Sequence, residues 1–227
     1  MKRYNTCLLS AAIVALSVAS SASAVDTVVW TDWTSGAAGP TGSAKGTLNI
    51  EGTPVGVGYA GEIAFLQTST GTDYWEPSGG YLSATVTNRP TGVDIIALST
   101  ATPKAITFSQ PITNPLFAVV SLNGNGYRFD RDFEVLSYGL GYWGNGTLTK
   151  QDAGGGIYEL IGSGEPHGVI QFQGTFSSIS WTSLTNENWN GFTIGVRGLA
   201  VPEPQCPALL TCSALMFVTR RARNQRC

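Results

Sequence analysis

The sequence predicts an all-β protein, a single jelly-roll-like β-sandwich of two sheets over residues 25–200. Three observations support this prediction: glycine, serine, threonine and asparagine are abundant there, short β-branched or aromatic runs recur between turn residues, and no helical period of apolar residues stands out. Short strands at such spacing are typical of sandwiches and barrels. The segment is also long enough to bury one sizeable core.

Each predicted strand is a run of β-branched, aromatic or alternating apolar residues bounded by turn-forming residues. In chain order the runs cover residues 27–33, 46–50, 55–59, 62–68, 82–86, 94–98, 105–109, 116–122, 129–137, 147–150, 157–161, 169–176, 178–181 and 192–197. The Asn-Gly pairs within 123–126 and at 145–146 are strong turn signals.

Two local features refine this strand pattern. Pro111 and Pro115 bracket the link into the run 116–122, so we do not expect a tight hairpin there. The parity of the apolar residues changes between Phe176 and Ile179, which predicts a bulge or turn near residues 177–178.

The N-terminus has the pattern of an export signal. Lys2 and Arg3 precede an apolar run over residues 8–18, and Ala22-Ser23-Ala24 fits a small-residue cleavage site. This order predicts a cleaved signal peptide of residues 1–24. The apolar run is shorter than the ~20 residues that a spanning helix needs.

The C-terminal residues 201–227 have three parts. The motif Val-Pro-Glu-Pro at 201–204 is followed by an apolar stretch at about 207–218 and by an arginine-rich end at 219–227. At 1.5 Å per residue the apolar stretch gives a helix of about 20 Å, shorter than the ~30 Å hydrocarbon core. Arginines on the cytoplasmic side stop transfer, so the tail predicts temporary membrane retention.

This order of parts resembles the PEP-CTERM sorting signal of Gram-negative bacteria. The resemblance implies an exported exosortase substrate that is held transiently at the inner membrane and delivered to the cell surface or the extracellular space. It assigns the recognition triplet to Pro202, Glu203 and Pro204. It assigns the stop-transfer end to Arg220, Arg221 and Arg223.

Composition excludes several function classes for the central segment. Six of the 13 basic residues but only one of the 15 acidic residues lie in the two ends, so residues 25–200 carry seven bases, 14 acids and a net charge of −7. An acidic domain repels phosphate backbones, so we expect no nucleic-acid partner. All four cysteines also lie in the ends, which excludes a disulfide framework or a thiolate metal site in residues 25–200.

The candidates for metal binding and catalysis are weak. Asp130, Asp132 and Glu134 alternate along a predicted strand, where a solvated acidic face is favoured over a structural calcium site. His167, the sole histidine, is expected to be a polar loop residue and not a general base. No nucleophile-elbow motif occurs, so we predict no catalytic residue and no required cofactor.

Aromatic residues in loop-like contexts are the better indication of function. They are Tyr74, Trp75, Tyr142, Trp143 and Trp189, and each lies near glycine, asparagine or an acidic residue. Flat rings flanked by polar groups suit stacking on sugars. The alternative is that these rings cap the core at the bases of loops, because large aromatics dominate core burial.

The resulting hypothesis is an exported, non-enzymatic cell-surface or matrix protein associated with exopolysaccharide or biofilm. The expected partners are an exosortase-type protease, the inner membrane transiently, and exopolysaccharide. One alternative is a carbohydrate-binding module. Another is a secreted carbohydrate-active enzyme, for which Glu76 and Glu187 offer a carboxylate pair.

Overall fold

The computed structural model describes residues 27–197, which form antiparallel strands and a short 3-10 helix at Ser78–Gly80. The strands are β1 Val28–Trp30, β2 Asp32–Ala37, β3 Gly39–Ile50, β4 Thr53–Ile63, β5 Phe65–Gln67, β6 Ile95–Leu98, β7 Pro103–Thr113, β8 Leu116–Val120, β9 Gly126–Phe129, β10 Phe133–Gly139, β11 Gly146–Gly154, β12 Ile157–Gly164, β13 His167–Phe172, β14 Thr175–Ser183 and β15 Asn190–Arg197. The prediction of an all-β fold is therefore confirmed for residues 27–197.

The strands form two sheets. The eight-stranded sheet has the order β11-β12-β9-β14-β7-β4-β3-β2. The seven-stranded sheet has the order β10-β13-β8-β15-β6-β5, and β1 also pairs with β15. The strands β6 and β1 pair with successive halves of β15, at Asn190–Phe192 and at Gly195–Arg197 respectively.

A large aromatic core joins the two sheets. Phe117 of β8 stacks on Phe192 of β15 with ring centroids 5.0 Å apart, and Trp181 of β14 meets Phe117 edge-on at 5.2 Å. These three side chains are buried and come from both sheets. Buried rings of this size dominate core energetics. The two sheets thus share one hydrophobic core, an arrangement that fits a β-sandwich.

The other face of the seven-stranded sheet is covered as well. Residues 68–94 between β5 and β6, here called the covering segment, contribute Trp75, Tyr81 and Val86 to a second buried apolar cluster on that face. The side-chain amide of Asn88 fixes the segment to β1, because it exchanges hydrogen bonds of 2.8 and 2.9 Å with the backbone of Val28. The seven-stranded sheet is therefore apolar on both faces.

Five predicted strands differ from the structure. Residues 82–86 belong to the covering segment and form no strand. The runs 27–33, 62–68, 129–137 and 169–176 each divide into two strands that lie in opposite sheets. Apolar residues continue on both sides of each crossing, so hydrophobic periodicity alone does not reveal the break.

Two finer predictions are confirmed. The pairing of β14 with β7 shifts register between Phe176 and Ser178, where the parity change predicted a bulge. The link Asn114-Pro115 is not a hairpin, because β7 lies in the eight-stranded sheet and β8 in the seven-stranded sheet.

Two charged side chains, Glu62 and Lys104, are buried beside the turn between β6 and β7. The Glu62 carboxylate accepts hydrogen bonds from the backbone N–H groups of Ser99 and Thr100, and the Lys104 ammonium donates to the carbonyls of Thr100 and Thr102 at 2.6 and 2.7 Å. Glu62 and Lys104 are only 5% and 2% exposed. Burial lowers the pKa of Lys104 from 10.5 to about 8, although the charge of Glu62 opposes the shift.

Lys104 therefore makes stability depend on pH in the alkaline range. Between pH about 8 and the unfolded value of 10.5, the unfolded chain binds more protons at this lysine, so the free energy of unfolding rises with pH. We expect Lys104→Met to remove this rise in urea unfolding measured at several pH values from about 7.5 to 9.5. The control Lys45→Met, at an exposed lysine, keeps the rise, and equal slopes in both variants would contradict the assignment.

Candidate functional site

The exposed large apolar side chains of residues 27–197 are concentrated in one region. They are Leu82 (41% exposed), Tyr138 (50%), Leu140 (54%), Tyr142 (44%) and Trp143 (51%). All but Leu82 lie within residues 138–143, and Leu82 follows the 3-10 helix, whose Gly80 N–H donates to the carbonyl of Leu140. Concentration of exposed apolar surface marks an interaction site more often than single exposed residues do.

An aromatic cluster lies within this region. We define it as Phe65, Tyr74, Tyr142, Trp143 and Trp189. Tyr74 is central, because its ring centroid lies 5.0 Å from those of both Tyr142 and Trp189. Trp143 stacks beside Tyr74 at 6.4 Å with 24° between the ring planes, and Phe65 meets Trp189 edge-on at 4.9 Å. Four of the five loop aromatics singled out in the sequence are thus in one place.

The cluster stands on the covered face of the seven-stranded sheet, where β15 begins. Phe65 is paired with Ala97 in the β5–β6 ladder, and Ala97 is paired with Gly191 of β15. A Cβ atom at Gly191 would lie 2.3 Å from Ile95 Cδ1 and 3.5 Å from a ring atom of Trp189. The small residues Ala97 and Gly191 in this cross-strand row therefore leave space for the rings of the cluster.

The connection from β10 to β11, residues 140–145, brings Tyr142 and Trp143 to the cluster, and we call it the aromatic loop. Two backbone hydrogen bonds hold its ends. The Gly80 N–H donates to Leu140 O at 3.1 Å, and the Glu165 N–H donates to Asn145 O at 3.0 Å. The loop is therefore fastened to the covering segment on one side and to the β12–β13 connection on the other.

His167 lies directly beneath the aromatic loop and contacts it. It begins β13 and is 0% exposed, so its prediction as a polar loop residue is wrong. The ring nitrogen Nδ1 lies 2.9 Å from the carbonyl oxygen of Glu165, and the Tyr81 ring meets the imidazole edge-on at 6.1 Å. A Cβ atom at Gly141 would lie 2.1 Å from His167 Cγ, so the loop backbone rests directly on the imidazole.

Charged groups lie beside the rings on one side. Arg89 pairs with Asp73 at 3.0 Å and with Glu76 at 2.8 Å, and Asp73 immediately precedes Tyr74. All three side chains are partly exposed, so the pairs contribute little to stability. They do place fixed donors and acceptors next to the aromatic cluster.

A partly buried carboxylate lies near the cluster on another side. Glu187, two residues before Trp189, accepts hydrogen bonds from the side-chain amides of Asn125, at 3.1 Å, and Asn190. Burial raises the pKa of Glu187, and the two amide donors oppose that shift. The carboxylate is thus engaged by protein groups, as is that of Glu76, which pairs with Arg89.

Trp75 does not belong with the sugar-stacking candidates. It is 0% exposed, its indole N–H donates to the carbonyl of Asp94 at 3.1 Å, and its ring packs against Tyr81 in the second core. The neighbouring residues Tyr74 and Trp75 have opposite environments, because the covering segment directs one toward the cluster and the other toward the sheet.

The acidic triplet is also placed differently from the prediction. Asp130 and Asp132 lie in the crossing between β9 and β10, and Glu134 lies within β10, so the three do not alternate along one strand. Lys150 pairs with Asp132 at 2.7 Å, and its charge and hydrogen bond lower the pKa of Asp132. Within residues 27–197 no group of three or more His, Cys, Asp or Glu side chains is placed to hold a metal ion.

Several predictions fall on residues outside 27–197. They are the signal peptide 1–24, the triplet 202–204, the apolar helix at about 207–218 and the basic end 219–227. In the part of the chain that the structure describes, no helix has the length and apolar character needed to cross a membrane.

Comparison with protein-family models, curated proteins and solved structures gives no significant match to the chain.

The contact between Gly141 and His167 gives a direct test of the site's construction. Gly141→Ala forces the aromatic loop away from the imidazole, and overpacking of this kind lowers the free energy of unfolding by about 1–3 kcal/mol. Gly79→Ala is the matched control, because a Cβ atom there meets no atom within 4 Å. Chemical unfolding compares the two variants, and equal stabilities would show that the loop does not rest on His167.

Proposed function

We propose that this protein is an exported, non-enzymatic surface or matrix protein that contacts exopolysaccharide through the aromatic cluster. The observation that carries the proposal is the convergence of Tyr74, Tyr142, Trp143 and Trp189, from three separate segments, into one partly exposed group of rings. A jelly-roll-like sandwich is part of the proposal, and the repeated crossings between the sheets from β7 to β15 favour it.

The chemistry of the cluster favours a neutral polysaccharide. The C–H faces of hexose rings pack on exposed aromatic faces, and the exposed halves of Tyr142 and Trp143 offer such a surface. Arg89, Asp73 and Glu76 lie beside it and can hydrogen-bond to hydroxyl groups. The net charge of −7 over residues 25–200 disfavours a polyanionic chain such as alginate.

The proposed sorting route is compatible with the position of the cluster at the start of β15. Trp189 precedes β15, and Arg197 ends it, so the cluster lies one strand length, about 25 Å, from the point where the chain continues toward the tail. While the proposed tail holds the precursor at the inner membrane, the aromatic cluster therefore lies at the end of β15 that is farther from the tail.

A carbohydrate-active enzyme is the less favoured alternative. Glu76 is paired with Arg89, and Glu187 is held by two side-chain amides. A hydrolase needs two carboxyl groups facing each other across a substrate, at about 5–9.5 Å. The engagement of both side chains by other protein groups supports a binding role instead.

Self-association is a second candidate function, and the aliphatic part of the exposed region favours it. Leu82 and Leu140 are 41% and 54% exposed beside the rings, and leucine has no specific role in sugar recognition. A matrix subunit that assembles through this region would bury both leucines. Concentration-dependent association that is lost in Leu140→Ala, without glycan binding, would favour this function over the first.

The binding proposal predicts a difference between two exposed aromatic residues. We expect Trp143→Ala to weaken binding to neutral oligosaccharides on a glycan array by at least about tenfold, as for a central interface residue. Tyr138→Ala is the matched control, because Tyr138 is as exposed as Trp143 but is not one of the cluster's ring contacts within residues 27–197. Absence of binding by the full chain, or equal loss in both variants, would rule out the cluster as the sugar site.

The sorting proposal has a separate test. In a host that contains an exosortase, Glu203→Ala is expected to leave the protein in the membrane fraction with its C-terminus intact, because Glu203 is central to the proposed recognition triplet. Cell fractionation and mass spectrometry of the C-terminal peptide measure both effects. Glu134→Ala, at an exposed glutamate outside the tail, serves as the control, and processing of Glu203→Ala at the wild-type rate would refute the route.

A further inference from the structure

His167 has an unusual hydrogen-bonding state for a fully buried side chain. Its Nδ1 atom lies 2.9 Å from the Glu165 carbonyl oxygen, which only accepts, so Nδ1 carries the proton. Its Nε2 atom is buried and has no hydrogen-bond partner among the described residues. The neutral ring is therefore compatible with the closed structure, whereas a second proton would place a charged donor opposite no acceptor.

The surroundings of the ring leave no space for it to adapt. Gly141 of the aromatic loop lies directly against the imidazole, where a Cβ atom would be 2.1 Å from Cγ and 2.2 Å from Cδ2. Gly80 of the covering segment lies against the backbone of the same residue, because a Cβ atom there would lie 2.9 Å from the His167 carbonyl oxygen. A charged ring can reach water only if the aromatic loop moves.

The titratable groups around His167 act in opposite directions. The Glu165 carboxylate of the β12–β13 connection favours the charged ring, but the Ser121 hydroxyl and the Asn123 amide already donate to this carboxylate. The covering segment contributes the neutral Tyr81 phenol, with the Asp73–Arg89 pair beyond it, and the backbone of Gly141 is what the aromatic loop places against the ring. Burial outweighs these charges and lowers the pKa of His167.

We propose that His167 is an acid-sensitive latch: its protonation releases the aromatic loop and removes Tyr142 and Trp143 from the aromatic cluster. The consequence for ligand binding rests on the proposed function, whereas the opening of the loop does not. The open form binds a proton near the ordinary histidine pKa of about 6.5, and the closed form binds it only at lower pH. The closed loop is thus fully favoured above pH about 6.5 and loses stability as the pH falls below that value.

Hydrogen exchange of the full chain tests the opening without a sugar. After correction for the intrinsic rate, exchange in the peptide covering residues 139–146 is expected to accelerate by up to about fivefold between pH 6.5 and 5.5. His167→Phe keeps an aromatic ring that cannot titrate, and His167→Asn keeps a donor toward the Glu165 carbonyl. Neither variant is expected to show this acceleration. The latch is overturned if exchange in the wild-type chain does not accelerate, or if the variants accelerate as the wild type does.

A second measurement needs no variant. His167 is the only histidine in the chain, so its imidazole resonances in an NMR pH titration are unambiguous. A pKa of the closed form below about 6.5 supports the latch, and a value at or above it overturns the latch.

Binding on the glycan array at two pH values separates this inference from the proposed function. Acid-induced opening without any glycan binding would leave the latch in place and remove the proposed ligand. Glycan binding that depends on Trp143 but is equal at pH 7.5 and 5.5 would support the proposed ligand and overturn the latch.

Discussion

The apolar outer face of the seven-stranded sheet is the constraint on which the rest of this structure depends. In β8, Leu116, Ala118 and Val120 face outward and are fully buried, while Phe117 and Val119 face the inter-sheet core. A sheet of this kind is stable in water only if both faces are covered, because exposed apolar surface costs about 25 cal/mol per Å². The eight-stranded sheet covers one face, and the covering segment covers most of the other.

The aromatic cluster arises at the place where this cover is completed. The covering segment brings Tyr74 and Tyr81, the aromatic loop reaches over His167 from the far edge, and Trp189 enters from the start of β15. The inner atoms of Tyr74 and Trp189 help to close the second core, and the remaining parts of their rings stay at the surface. One arrangement of residues thus accounts for the burial of His167, the requirement for glycine at position 141, and the exposed rings.

The sequence predicted the strand-rich character, most strand positions and the parity change at residues 177–178, since these depend on local alternation. It could not separate Tyr74 from Trp75, because adjacent loop aromatics differ only in what the fold places against them. It also placed His167 in a loop, because the residues Gly-Glu-Pro before it resemble a turn. The position of an imidazole under Gly141 depends on residues 26 positions apart and has no local signal.

The most direct test of the central claim uses the chain's six tryptophans. Trp30, Trp33, Trp75 and Trp181 are buried, whereas Trp143 and Trp189 belong to the aromatic cluster. The measurement is the ¹H–¹⁵N spectrum of the indole N–H groups as the neutral oligosaccharide that binds best on the array is added. The account predicts that the Trp143 and Trp189 signals shift together while the other four stay in place. Shifts confined to the buried tryptophans, or no shift at saturating sugar, would contradict it.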